Sequence, residues 1–157
     1  MKNKGFSLIE LMVVVAILGI LSSYVLPELS GRIVSKQVGE GIGLSTAYQE
    51  TIVDYYKTNG RFPPDNSALG IPPPDKIIGN YTTKLAIENG AIHITFGNHV
   101  HKALASKVLS LRPLTVPSSP KSPISWTCGY REAPNGMQPN GENKTNTIRH
   151  MTPLHCL

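Results

Sequence analysis

Charge is scarce in this sequence: Asp, Glu, Lys and Arg together make up 16% of it, against about 25% in an ordinary soluble domain. With 40% hydrophobic residues, that scarcity excludes a disordered chain or an all-polar linker. The formal charge of +5 falls by two once Lys2 and Lys4 are set aside. So mild an excess does not by itself imply nucleic acid. Cysteine is nearly absent, present only as Cys128 and Cys156. Chemistry is missing as well. No nucleophile elbow, phosphate loop or paired-carboxylate motif occurs, so neither catalysis nor a cofactor is expected. Nor is a metal. His99-Val100-His101 has no cysteine or nearby acid at ligand spacing and reads as surface loop, and a His155/Cys156 pair would compete with a disulfide.

What is present is one long apolar run. From Phe6 to Leu26 the chain reads FSLIELMVVVAILGILSSYVL, with Glu10 its only charge. As a helix it would cover roughly 30 Å, the thickness of a bilayer's hydrocarbon core. Three readings compete for it. An ordinary secretory signal accounts for the basic start but not for the length, the carboxylate or the missing A-x-A-like site. A plain signal anchor fits length and charge and leaves Glu10 unexplained. A membrane-targeting start followed by two late cysteines suits an oxidising, non-cytoplasmic compartment.

The third reading starts from the order Lys4-Gly5-Phe6-Ser7-Leu8-Ile9-Glu10 ahead of a long apolar helix. This resembles the processing motif of type IV prepilins and of the pseudopilins of type II secretion. The resemblance implies cleavage between Gly5 and Phe6 by a membrane prepilin peptidase, which also methylates Phe6. It implies an inner-membrane precursor, residues 1–5 as leader, 6–27 as transmembrane and filament-core helix, and 28–157 as head. A carboxylate inside hydrocarbon needs a partner, and cleavage would create one in the Phe6 amine of a neighbouring subunit. The alternative is that Glu10 caps its own helix, favourable by about 0.3–1 kcal/mol. Gly19 and Pro27 match usual positions of such helices. Pro27 removes a backbone donor and should bend or loosen the helix.

Beyond Pro27 the apolar positions Val34, Val38, Ile42, Tyr48, Ile52, Tyr55 and Tyr56 recur at spacings of three and four, an amphipathic helix over 28–58. Gly39, Gly41 and Gly43 weaken it, reading either as a bent stem or as a close-packed subunit contact. Asn59-Gly60 and Pro63-Pro64 end it. A loop rich in Pro, Asn and Gly occupies 59–83. Lys84–Glu88 and Ala91–Phe96 flank Asn89-Gly90, a strong hairpin signal. Val108–Leu111 with Leu114–Val116, interrupted by Pro113, and Ile124–Cys128 supply two further strands. The expectation is an α+β head, a long helix packed on a four-stranded antiparallel sheet over 84–128. The passages Asp54–Pro63, Ile94–Gly97 and Ser122–Gly129 resemble type IVa pilins, which implies that 129–157 is the variable D-region closed by a Cys128–Cys156 bridge. Such a bridge would contribute roughly 3.5 kcal/mol in the chain-entropy model. The tail itself is polar and turn-rich, unable to bury enough surface to order itself.

Between Glu88 and Glu132 there is no acidic residue, while Lys102, Lys107, Arg112, Lys121 and Arg131 fall in that interval. Repeated along a filament, such a strip could gather DNA or anionic surfaces; the plainer reading is a solvated face. The resemblance as a whole implies a type IV pilus subunit, a homo-oligomeric extracellular filament driven by assembly machinery with separate ATPases. Adhesion to host surfaces, twitching motility and DNA uptake are its implied uses. A minor pilin or a secretion pseudopilin is the alternative within that architecture, and an anchored periplasmic enzyme the alternative outside it.

Overall fold

The alternating strands and the three-four helix meet in one core, as their patterning requires. The structure, a computed structural model, describes residues 5–149 and 152–157, and residues 24–30 by backbone alone. Helix α1 runs Leu8–Asn59, 52 residues, or about 78 Å at 1.5 Å per residue. It opens on a capping box in which the Ser7 N–H donates to Glu10 Oε2 at 3.0 Å. It closes at Gly60, whose φ of 69° and bond to the Tyr56 carbonyl form a left-handed cap that favours glycine. The helical assignment passes through Gly19 and Pro27; the Pro27 side chain lies outside the described residues, as does the leader Met1–Lys4.

The rear half of α1 buries Val34, Val38 and Ile52 completely, with Ile42, Leu44 and Tyr48 packed beside them. Each such side chain removed from water stabilises the fold by about 1.5–3 kcal/mol. The three glycines do not break the helix. Gly41 is where the sheet comes closest, while Gly39 and Gly43 face open space. At Gly41 the close contact is with the chain's own sheet and not with a second subunit.

The sheet runs in the order β1 (Thr82–Glu88), β2 (Ala91–Phe96), β3 (Val108–Thr115), β4 (Ser125–Cys128), all antiparallel. Asn89 and Gly90, at φ 48° and 82°, make the tight β1–β2 turn. Leu85, Ile87, Ile92, Ile94, Phe96, Leu109 and Leu111 alternate onto the face that packs on α1.

Two strand expectations need correction. Pro113 does not interrupt β3. Its carbonyl accepts the Asn140 N–H at 2.9 Å, so its nitrogen faces the same edge, beyond the end of β2, where no ladder donor is required. The sheet also has a fifth strand, β5 (Gln138–Pro139), which the tail adds beside Leu114 and Thr115 of β3. The tail therefore borrows its order from the sheet.

The loop before β1 seals that edge strand. Asn66 is 4% exposed; its amide oxygen accepts the Ile87 N–H at 2.8 Å and its amide nitrogen donates to the Leu85 carbonyl at 3.2 Å. One side chain thus imitates a neighbouring strand where an open edge would invite pairing. Glu40 of α1 holds the loop's other end through the Tyr81 N–H at 2.9 Å.

Candidate functional site

The first turns of α1 stand clear of the head. Phe6, Leu8, Ile9 and Met12 are between 62% and 82% exposed, and exposure of the large apolar residues continues to Leu21. A soluble monomer does not keep a contiguous apolar surface of this kind in water. Among the described residues no helix is long and apolar enough to cross a membrane; the apolar run continues into residues whose side chains are not described. Within this surface Glu10 engages its own chain through the Ser7 N–H. Gly5 and Phe6 precede the helix, and the Phe6 side chain is exposed. Gly19 has nothing within 4 Å of an added Cβ, so nothing of its own chain packs there.

At the other end Cys128 and Cys156 form a disulfide, with Cα atoms 4.5 Å apart. It joins β4 to the end of the tail. The Tyr130 N–H donates to the Cys156 carbonyl at 2.8 Å, so backbone and sulfur close the same junction. His155 lies within ligand reach of both sulfurs, but their bond to each other uses the thiolates a metal would need.

Between β4 and the bridge the tail folds across the outer face of the sheet. Asn140 bonds to Pro113, Asn143 to the Gly129 carbonyl, Lys144 to Ser110, and Asn146 to Val108. Lys144 reaches on to Glu88 of β1 in an ion pair. That partner holds the Glu88 carboxyl below its usual range and raises Lys144. Both are substantially exposed, so the pair contributes under about 1 kcal/mol.

The five basic positions do not gather into one patch. Lys102 and Lys107 lie before β3, and Lys121 lies beyond its end; eight strand residues span about 26 Å. Lys102, Lys121 and Arg131 are exposed, Lys107 and Arg112 half-buried. Burial pushes the Arg112 guanidinium down, and its Nε is buried without a hydrogen-bond partner among the described residues.

Two features carried no sequence signal. One is a groove of about 740 Å³ between the last turns of α1 and the β3–β4 loop, lined by Val53, Tyr56, Lys57, Pro120, Pro123 and Ile124. The other is His93, sealed under the tail at 4% exposure. Each is assembled from distant segments, which no local motif marks.

Comparisons with known proteins agree with this layout. A family model described as pilin, bacterial filament, matches residues 36–145, and the prokaryotic N-terminal methylation motif matches residues 1–26. The type IV major pilin protein PilE1 of Neisseria gonorrhoeae is 33% identical over 98% of this chain and 87% of its own. A PilE of the same organism is 36% identical over 81% and 74%. The fimbrial protein EcpC of Eikenella corrodens is 34% identical over 80% and 82%. These are pilus and fimbrial subunits, which favours that role over a secretion pseudopilin. The methylation motif extends into the exposed helix, the pilin match covers most of the head, and the chain belongs to the type IV pilin family as a structural pilus subunit.

Proposed function

We propose that the chain is inserted in the inner membrane as a precursor, cut between Gly5 and Phe6 by a prepilin peptidase that also methylates Phe6, and polymerised as the main subunit of a surface pilus. The observation that carries this is the stretch from Phe6 to Leu21, apolar but for Ser7 and Glu10, whose large apolar side chains its own head leaves exposed. Lipid covers such a surface before assembly, and copies of the same helix cover it afterwards. Glu10 is its single carboxylate. In hydrocarbon that charge requires a counter-charge, and the amine released at Phe6 of a neighbouring subunit is the partner of the right sign. Adhesion, twitching motility and DNA uptake are the uses of such a filament, with extension and retraction driven by separate ATPases.

Mass spectrometry of filaments sheared from the cell surface tests this directly. A terminal N-methylphenylalanine at Phe6, in the dominant polypeptide, is the expected result. A mature chain starting elsewhere, or absence of the chain from the filaments, overturns it.

A secondary role in gathering anionic polymers rests on the acid-free interval from Glu88 to Glu132. The scatter of its cations over one head means that only a filament, by repetition, would present them densely.

A further inference from the structure

At the middle of the sheet's outer face a titratable ring is closed off by the tail. His93 on β2 stands between Ala86 of β1 and Ser110 of β3. Its Nδ1 lies 2.8 Å from Ser110 Oγ. That same oxygen accepts the Lys144 backbone N–H at 2.9 Å, and the Ser110 N–H donates to Thr145 Oγ1 at 3.0 Å. One serine therefore joins the imidazole to the tail where the tail crosses β3. The other ring nitrogen, Nε2, is buried and has no hydrogen-bond partner among the described residues.

We propose that His93 is a pH-sensitive latch for tail segment 140–146, which lies closed over the neutral ring and lifts when the ring takes a second proton. A neutral imidazole leaves one buried nitrogen unpaired, a tolerable defect. A charged imidazole makes both nitrogens donors, and Nε2 then holds a buried cationic N–H with no acceptor among the described residues. The charged groups around the ring do not repair this. Glu88 of β1 and Glu142 of the tail favour the cation, whereas Lys144 of the tail opposes it. Glu88 is already paired with Lys144. Lys84 on β1 and Arg112 on β3 lie two residues from Ala86 and Ser110 on the same face, in opposite directions along the strands, and neither offers the ring an acceptor.

Burial is the largest influence and holds the ring's pKa below its ordinary 6.5. A group whose folded pKa is lowered by loss of the charged form binds more protons unfolded. Stability from this group is complete above that ordinary value and declines as pH falls below it. The route to water is upward through the tail. That segment is held by polar contacts, among them two hydrogen bonds from Asn140 to β3, two exchanged between Asn146 and Val108, and one exposed ion pair, whereas the hydrophobic core lies on the opposite side of the sheet. The Cys128–Cys156 bridge keeps the lifted tail tethered, so the change is reversible.

The test is hydrogen exchange of the full-length chain in detergent micelles, with protection factors corrected for intrinsic rates at pH 7.5 and 5.0. Residues 140–146 are expected to lose tenfold or more protection at the lower pH while α1 and the β1–β2 hairpin keep theirs. In His93→Gln, which retains a hydrogen-bonding side chain and does not titrate, the loss should vanish. An NMR titration of the His93 ring in the native chain gives a second reading that needs no variant, since its midpoint should coincide with tail opening. Unchanged tail protection in the native chain, an equal loss in His93→Gln, or a ring midpoint separate from the opening would each overturn the proposal.

Discussion

Gly41 of α1 faces Ile94 of β2 so closely that a β-carbon added to Gly41 would stand 2.9 Å from Ile94 Cγ2 and 3.0 Å from Phe96. The glycine lets a helix and a sheet share van der Waals contact at that point. Gly41→Val should destabilise the head by about 1–3 kcal/mol, the usual range for overpacking. Gly39→Ala and Gly43→Ala, with nothing in the way, should each stabilise it by about 1 kcal/mol through helix propensity. Thermal unfolding of the three variants decides the matter, and equal effects would contradict the close packing.

The disulfide should act on the tail far more than on the helix. Replacing Cys128 and Cys156 together by serine is expected to cost about 3.5 kcal/mol in the chain-entropy model. Denaturant unfolding measures the total. Proteolysis should then cut within 129–157 first, leaving the β1–β2 hairpin intact.

Glu10 has two candidate partners, and one substitution separates them. Its own Ser7 N–H needs only an acceptor, which glutamine supplies equally well in a capping box. A neighbour's Phe6 amine needs a negative charge. Glu10→Gln should therefore be cut normally after Gly5 and yet assemble poorly, with filament yield down tenfold or more. Abundant filaments from Glu10→Gln would assign the residue to capping alone.

The cation strip predicts a salt-dependent effect. Exchanging Lys102, Lys107 and Lys121 for glutamine should leave filaments intact and reduce their retention of DNA several-fold at low ionic strength, with the difference fading as salt rises. Equal retention at low salt would remove the idea.

Much of the head is legible along the chain because its signals are local. The spacing of Val34, Val38 and Ile52 marks the buried stripe of α1, and Asn89-Gly90 marks the hairpin within two residues. Pro113 misleads because a proline's cost depends on which edge its nitrogen faces, and that depends on how far β2 extends. β5 is invisible for a related reason. Gln138-Pro139 has no strand propensity worth noting and becomes a strand only because Leu114 and Thr115 present an open edge. Asn66 gives no motif either; its two bonds to β1 arise because the loop folds back to place a carboxamide beside Leu85 and Ile87.

The sequence by itself determined the exposed apolar helix, the lone Glu10 within it, the Gly5–Phe6 motif and the alternation that builds the sheet. Each is a property of neighbours in the chain, set by hydrophobic periodicity and backbone chemistry. Only the tertiary structure decided that Gly41 meets Ile94, that the basic residues scatter over the head, and that the tail closes over His93. These depend on distances between residues remote in sequence. Burial and unmet hydrogen bonds come into being only when such segments are brought together.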